Sequence, residues 1–243
     1  MVTDASLAAE IIGRAESFPR IRAGIAHLED ILKAPSYRVV PDGDWSTSLS
    51  EEGTVAEWPA EARSVLILGF NHPEEDPRLD WWDRGNTSGN RRLIEISESL
   101  KKWLRKEHGL GAHPLPYHVE KGGLFLKDAA VLAGLGIIGR SNLFLHPEWG
   151  PRIRLRSILI EGDFEPTGSI EEFSPCETCV EFCQEACPKN AFSRGVYHRP
   201  SCIEQLNADV ANKVPDGEID ENGSPILVIK YCRACELACP VGG

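Results

Sequence analysis

The chain has 243 residues, a formal net charge of −11 and a pI near 5.2. That acidic balance speaks against a nucleic-acid surface, which needs clustered Lys and Arg, and no apolar stretch approaches membrane-spanning length. All eight cysteines lie beyond residue 175, so composition divides the chain into a cysteine-free body over residues 1–165 and a polar, cysteine-rich segment over 166–243, too small to build a large core of its own.

Taken in chain order, Leu7 to Ala15 has helical spacing, and Ile21, Ile25, Leu28 and Leu32 continue it as a second helix ending near Pro35. SVLILGF (64–70) is a short apolar run bounded by charge and reads as a buried strand. Residues 71–90 are rich in Pro, Asp, Gly and Asn, a loop long enough to suspect a function. Trp81 and Trp82 within it either cover a flat ring or anchor local packing. Leu93, Ile96, Leu100 and Leu104 mark a helix over 92–107, followed by a strand near 115–119 and a helix over 124–133. The alternation from Arg152 to Ile160 predicts a strand with Ile153 and Leu155 on one face and Arg152, Arg154 and Arg156 on the other. Those arginines face solvent, pair with carboxylates or hold the polar edge of a cofactor. Glu161 to Pro175, with Gly162, Pro166, Gly168 and Pro175, reads as a linker. Strands separated by helices make the body mixed α and β.

The cysteines fall as Cys176-x2-Cys179-x3-Cys183-x3-Cys187-Pro188, then Cys202, then Cys232-x2-Cys235-x3-Cys239-Pro240. A Cys-Pro three residues beyond another cysteine is the bacterial ferredoxin signature, in which the Cys-Pro cysteine of one run ligates the cluster of the other. The spacing gives Cys176, Cys179, Cys183 and Cys239 for one 4Fe–4S cluster, and Cys187, Cys202, Cys232 and Cys235 for a second. Zinc is the competing reading of CxxC pairs, but zinc sites do not need the repeated CxxxCP ending. One irregularity concerns Cys183, which follows Cys179 by three intervening residues where the ferredoxin run has two. The N-terminal MVTDA lacks a basic start and no apolar core follows it, so disulfides are not expected and a cytoplasmic location is. No basic residue stands between Arg156 and Lys189 while acidic residues accumulate there. This is either a solvated face or a docking patch for a basic redox partner.

Gly134-Leu-Gly136-Ile-Ile-Gly139 matches GxGxxG letter for letter. A nucleotide site requires a strand before that motif and a helix after it. Here a helical stretch precedes it and no helical pattern follows, so the glycines are expected to serve a tight turn or close backbone approach instead.

The segment KDAAVLAGLGIIGRSNLFLHPEWGPRIRLRSILI (127–160), the two cysteine runs and ARSVLILGFNH (62–72) together resemble the epoxyqueuosine reductase family. The resemblance implies an α+β fold: a nitroreductase-like, cobalamin-binding body of the kind also used by reductive dehalogenases and cobalamin-processing proteins, followed by a small two-cluster ferredoxin-like domain. It makes Gly134, Gly136, Ile138, Gly139, Arg140, Ser141, Asn142 and Leu143 the edge of a corrinoid pocket, with a packed turn as the plainer alternative. It also sets Glu120 at the position of the family's acid, an aspartate there, with an ordinary surface carboxylate as the plainer alternative. No D-x-H-x-x-G signature is present, since position 144 is Phe. No histidine is therefore expected on cobalt, and His146 is expected in a turn or pocket wall. The chain stops three residues after Pro240, where the family continues. With its negative charge, that makes tRNA an unlikely partner and reductive corrinoid processing (removal of the upper ligand) the expected activity. An external low-potential donor such as a flavodoxin, ferredoxin or reductase is implied. Epoxyqueuosine reduction in tRNA and a non-catalytic electron carrier are the alternatives.

Overall fold

The computed structural model describes residues 5–39, 58–192 and 197–242, which gather into two compact units. The first comprises Met1–Asn71, Leu93–Ile137 and Arg154–Phe173, and the second His72–Arg92, Ile138–Ile153 and Ser174–Gly243. The cysteine segment thus shares its unit with two earlier stretches of chain, both of which precede residue 165.

The first unit is built on a four-stranded sheet in the order β1-β2-β8-β5, from Ile21–His27, Ala62–Asn71, Ile153–Glu161 and Ala112–Pro114. β1 and β2 pair antiparallel from Ile21 opposite Phe70 to His27 opposite Ser64, and β5 pairs antiparallel with β8. Val65 to Leu68 are fully buried, which is why the apolar run in β2 carries no alternation. Helix α1 (Ala5–Glu16) presents Ala8, Ile11 and Ala15 to the interior. The long helix α4 (Ser88–His108) buries Leu93, Ile96, Leu100 and Leu104, each about 1.5–3 kcal/mol of apolar burial. Its start is fixed by Thr87, whose Oγ1 accepts the Asn90 N–H at 3.1 Å.

Two expectations are corrected here. The stretch from Ile21 is a strand, and only α2 (Leu28–Leu32) is helical; a further short helix, α3, covers Pro35–Val39. Arg20, at φ 63°, turns the chain after α1, and a Cβ on Gly24 would stand 2.0 Å from the Ala133 carbonyl oxygen. Sheet pairing and that close approach outweigh the i, i+4 spacing of Ile21 and Ile25. Secondly, the segment from Glu161 to Pro175 is no free linker over its first half. Phe164 is buried and its N–H reaches Ser64 Oγ at 2.8 Å, while Thr167 exchanges bonds with Ile25 through its N–H and its Oγ1.

The second unit holds the two-residue strands β3 (Trp82–Asp83) and β4 (Asn86–Thr87), a turn around residues 138–150, and the cysteine segment. That segment carries α6 (Phe182–Glu185), α7 (Arg199–Ala211), the hairpin β9 (Val214–Ile219) and β10 (Pro225–Val228), and α8 (Ala234–Leu237). Among the described residues no helix is long and apolar enough to cross a membrane.

Candidate metal centre

The cysteine segment repeats one device. Cys183 is the second residue of α6 and Cys235 the second of α8, and each helix is followed two residues later by its Cys-Pro cysteine, Cys187 or Cys239. The extra residue of the first run falls between Cys179 and α6. There Glu181 takes the left-handed conformation (φ 62°, ψ 40°), absorbing the added length just before the helix begins.

The eight thiols form two groups of four. Burial first, then Cys239, Cys179 and Cys176, push the Cys183 thiol above its ordinary range, and Cys239 is raised by burial and by Cys176 and Cys179. Cys187, Cys202, Cys232 and Cys235 line one cavity, with Ala191, Phe192 and Tyr197. Burial followed by Cys232 and Cys202 pushes Cys235 up to about 12. Cys239 thus stands near Cys176, Cys179 and Cys183, and Cys187 near Cys202, Cys232 and Cys235. Thiols are the donor set that iron–sulfur clusters take, and backbone N–H groups already address their sulfurs. Glu181 N–H points to Cys179 Sγ at 3.4 Å and Ala191 N–H to Cys187 Sγ at 3.3 Å. Among the described residues, no group of three or more His, Cys, Asp or Glu is arranged for a single metal ion.

Each group has its own charged surroundings. Arg152, only 7% exposed, donates from Nη1 to the Val241 carbonyl at 3.1 Å and from Nη2 to the carbonyls of Leu237 and Cys239, each at 3.4 Å. Of the three arginines on the strand face, this one therefore clasps the end of the cysteine segment, a role the sequence does not suggest. On the other side, Asp209 Oδ2 accepts the Cys232 N–H at 2.8 Å while its Oδ1 accepts Gln205 Nε2 at the same distance. Arg233, between Cys232 and Cys235, bridges Asp80 (2.7 Å) and Glu236 (2.5 Å) and donates to the His72 carbonyl at 3.3 Å. His72 is fully buried with Nδ1 at 2.8 Å from Asp80 Oδ1. This buried quartet also escapes sequence reasoning. Its one signal is an arginine inside a CxxC pair and a histidine directly after an apolar strand.

The glycine motif resolves into two different devices. Helix α5 (Leu126–Leu132) ends at Gly134 (φ 71°), with Leu135 N–H to Ala130 O and Gly134 N–H to Val131 O, both at 3.0 Å. That is a Schellman stop, and Gly134 supplies its left-handed residue. Next come β6 (Ile137–Ile138) and β7 (Phe144–Leu145), paired across a turn in which Asn142 sits at φ 56° and Gly139 N–H reaches Leu143 O at 2.9 Å. No helix follows, so the nucleotide reading fails for the expected reason. Gly134 and Gly136 belong to the first unit and Ile138 to Leu143 to the second. A Cβ on Gly139 would stand 3.4 Å from Cys176 Sγ, so the turn lies against the first thiol group. Arg140 pairs with Glu181 at 2.5 Å, and Ser141 is buried.

His146 is a turn residue. It exchanges backbone bonds with Gly150, stacks on Trp149 at 4.5 Å, and its Nδ1 accepts the Glu148 N–H at 3.1 Å. Trp82 pairs by backbone with Ile229 and meets Tyr231 edge-on at 6.0 Å, while Lys230 Nζ lies 3.8 Å over the Trp81 ring. Both tryptophans thus anchor local packing. Glu120 belongs to a one-turn 3₁₀ helix, Val119–Lys121, and its side chain lies outside the described part of the structure.

The mixed α/β fold with its cysteine-rich C-terminal region is similar to that of solved epoxyqueuosine reductases and reductive dehalogenases. No protein-family model matches the chain. It is similar to an epoxyqueuosine reductase of Lactococcus garvieae (strain Lg2), 24% identical over 196 residues, which covers 74% of this chain and 52% of the relative. A tetrachloroethene reductive dehalogenase of Sulfurospirillum multivorans is 33% identical over 122 residues, 46% of this chain and 22% of the relative. A solved epoxyqueuosine reductase bound to a modified tRNA stem loop superposes with a TM-score of 0.65 at 20% identity, covering 98% of this chain and 65% of that one. The chain spans about half the length of the curated epoxyqueuosine reductases it matches first. The expectation that tRNA is an unlikely partner is corrected by these findings. A protein of this fold holds a tRNA stem loop, so net charge does not exclude one.

Proposed function

We infer that the chain is an iron–sulfur reductase that carries electrons through two 4Fe–4S clusters to a bound corrinoid, for reductive removal of its upper ligand. The observation that carries this reading is the pair of four-thiol groups, with the glycine turn at Gly139 against the first. Bound clusters would supply one-electron transfer and the corrinoid the difficult bond cleavage. The chain's own part is to hold, orient and shield. Cys176, Cys179, Cys183 and Cys239 would hold one cluster and Cys187, Cys202, Cys232 and Cys235 the other. Gly134, Gly136 and Ile138 to Leu143 would border the ring, and Glu120 would deliver a proton. An external low-potential donor protein in the cytoplasm would supply the electrons.

The test begins with iron and sulfide assays on the chain reconstituted without oxygen. About eight irons per chain are expected, followed by a change in the visible spectrum of added cobalamin on reduction. Two zinc atoms with negligible sulfide, or no corrinoid binding at high micromolar concentration, would refute the reading. A second reading, epoxide reduction in a modified tRNA nucleoside, is favoured by the stem-loop complex of the same fold. Conversion of the epoxide in a minimal stem-loop would establish it over corrinoid processing.

A further inference from the structure

The two thiol groups differ in the sign of the charge built around them. Beside the first, the buried Arg152 guanidinium donates to the carbonyl of Cys239 itself and, among its neighbours, draws the Cys239 thiol downward. Its hydrogen-bond partners are carbonyl oxygens, and among the described residues no carboxylate pairs with it. The nearby Arg140–Glu181 pair is neutral as a unit and half-exposed. Beside the second group stand Asp209, bonded to the Cys232 N–H, and Glu236, which acts on Cys235 and is only 5% exposed. Arg233 is shared between Glu236 and Asp80 and therefore offsets one of the three carboxylates, leaving negative charge in excess. Lys189 also borders the cavity but is exposed, where solvent screens it.

Hydrogen bonds to sulfur do not reverse this difference. By geometry a backbone N–H reaches Cys179 in the first group and Cys187 in the second, which balances the two. A positive charge nearby favours the reduced, more negative cluster, and negative charge or a dry apolar wall disfavours it. Phe192 and Ala191 supply such a wall to the second cavity.

Resting on the cluster reading above, we propose that Arg152 holds the cluster of the first group at the higher reduction potential and that Asp209 holds the second at the lower. With clusters bound in that order, an electron lost by an external low-potential donor would be drawn from the second group's site toward the first, whose Cys176 lies beside the glycine turn at Gly139. Arg152 is in this sense a tuning residue and touches no substrate.

Potentiometric titration of the reconstituted full chain, followed by paramagnetic resonance, reads the two steps separately. In Arg152→Gln the upper step should fall at least tenfold in the reduced-to-oxidised ratio at fixed potential, 59 mV for one electron. Arg152→Lys should hold it near the wild-type position. Asp209→Asn, which keeps an acceptor for the Cys232 N–H, should raise the lower step and leave the upper one alone. If the arginine variants fail to fold, the asparagine variant decides, since movement of the upper step would overturn the proposal. So would an Arg152→Gln variant that moves only the lower step or neither. Absence of iron and sulfide overturns the cluster reading together with this assignment, whereas loaded clusters with misplaced steps overturn the assignment alone.

Discussion

Replacing Arg233 by Met tests the buried quartet most directly. The side chains of Arg233, Asp80 and Glu236 are 13%, 11% and 7% exposed, so removing the cation strands two carboxylates away from water. Breaking a buried pair from one side costs about 3–5 kcal/mol. His72 offsets part of that cost, because its Nδ1 lies 2.8 Å from Asp80 and the ring gains by taking up a proton once the guanidinium is gone. A loss of about 3 kcal/mol at pH 8 is therefore expected, a large fraction of the roughly 5–15 kcal/mol by which a domain is stable. Urea unfolding of the oxygen-free, cluster-loaded chain, read by tryptophan fluorescence, measures it. Adding Asp80→Asn should recover part of the loss, because it removes one of the stranded charges. A loss below about 1 kcal/mol, or no recovery in the double variant, would refute the reasoning.

The chain without clusters should weaken in alkali. Cys235 is raised from 9.0 to about 12, so its contribution to stability is complete below about pH 9 and is lost as pH rises toward 12, by up to roughly 1.4 kcal/mol per unit. Thermal midpoints at pH 8 and 10.5 check this, and Cys235→Ser should flatten the slope. Gly150→Ala should destabilise by more than about 2 kcal/mol, since the residue sits at φ 55° and a Cβ would stand 1.8 Å from the Val241 carbonyl oxygen. Gly168→Ala, at φ 82° in open space, should cost only about 1 kcal/mol in the same denaturation assay. Cys183→Ser should lower the iron content by about half if the left-handed turn at Glu181 delivers that thiol to its group.

The candidate ligand sets were legible in the spacing, because Cys-Pro endings are local patterns, and the iron and sulfide assays decide whether those thiols hold clusters. The core strand at 64–70 was equally legible, since continuous burial leaves a continuous apolar run. Ile21 to His27 was not, because a two-sided strand containing Ala and Gly loses its period-two signature and borrows a helical one from its isoleucines. Arg152 and Arg233 escaped for a different reason. Arg152 meets the Cys239 carbonyl and Arg233 meets Asp80, partners tens of residues away of which one sequence carries no trace; only the Arg233–Glu236 pair is local.

The near-contact of Gly150 with Val241 has a practical corollary. Gly242 is equally hemmed in, for a side chain there would run into the backbone of Trp149 and Gly150. Bulk placed in this seam, where two backbones leave no room for a methyl group, acts a few residues from Cys239, and a preparation strained there would differ first in how much iron it retains.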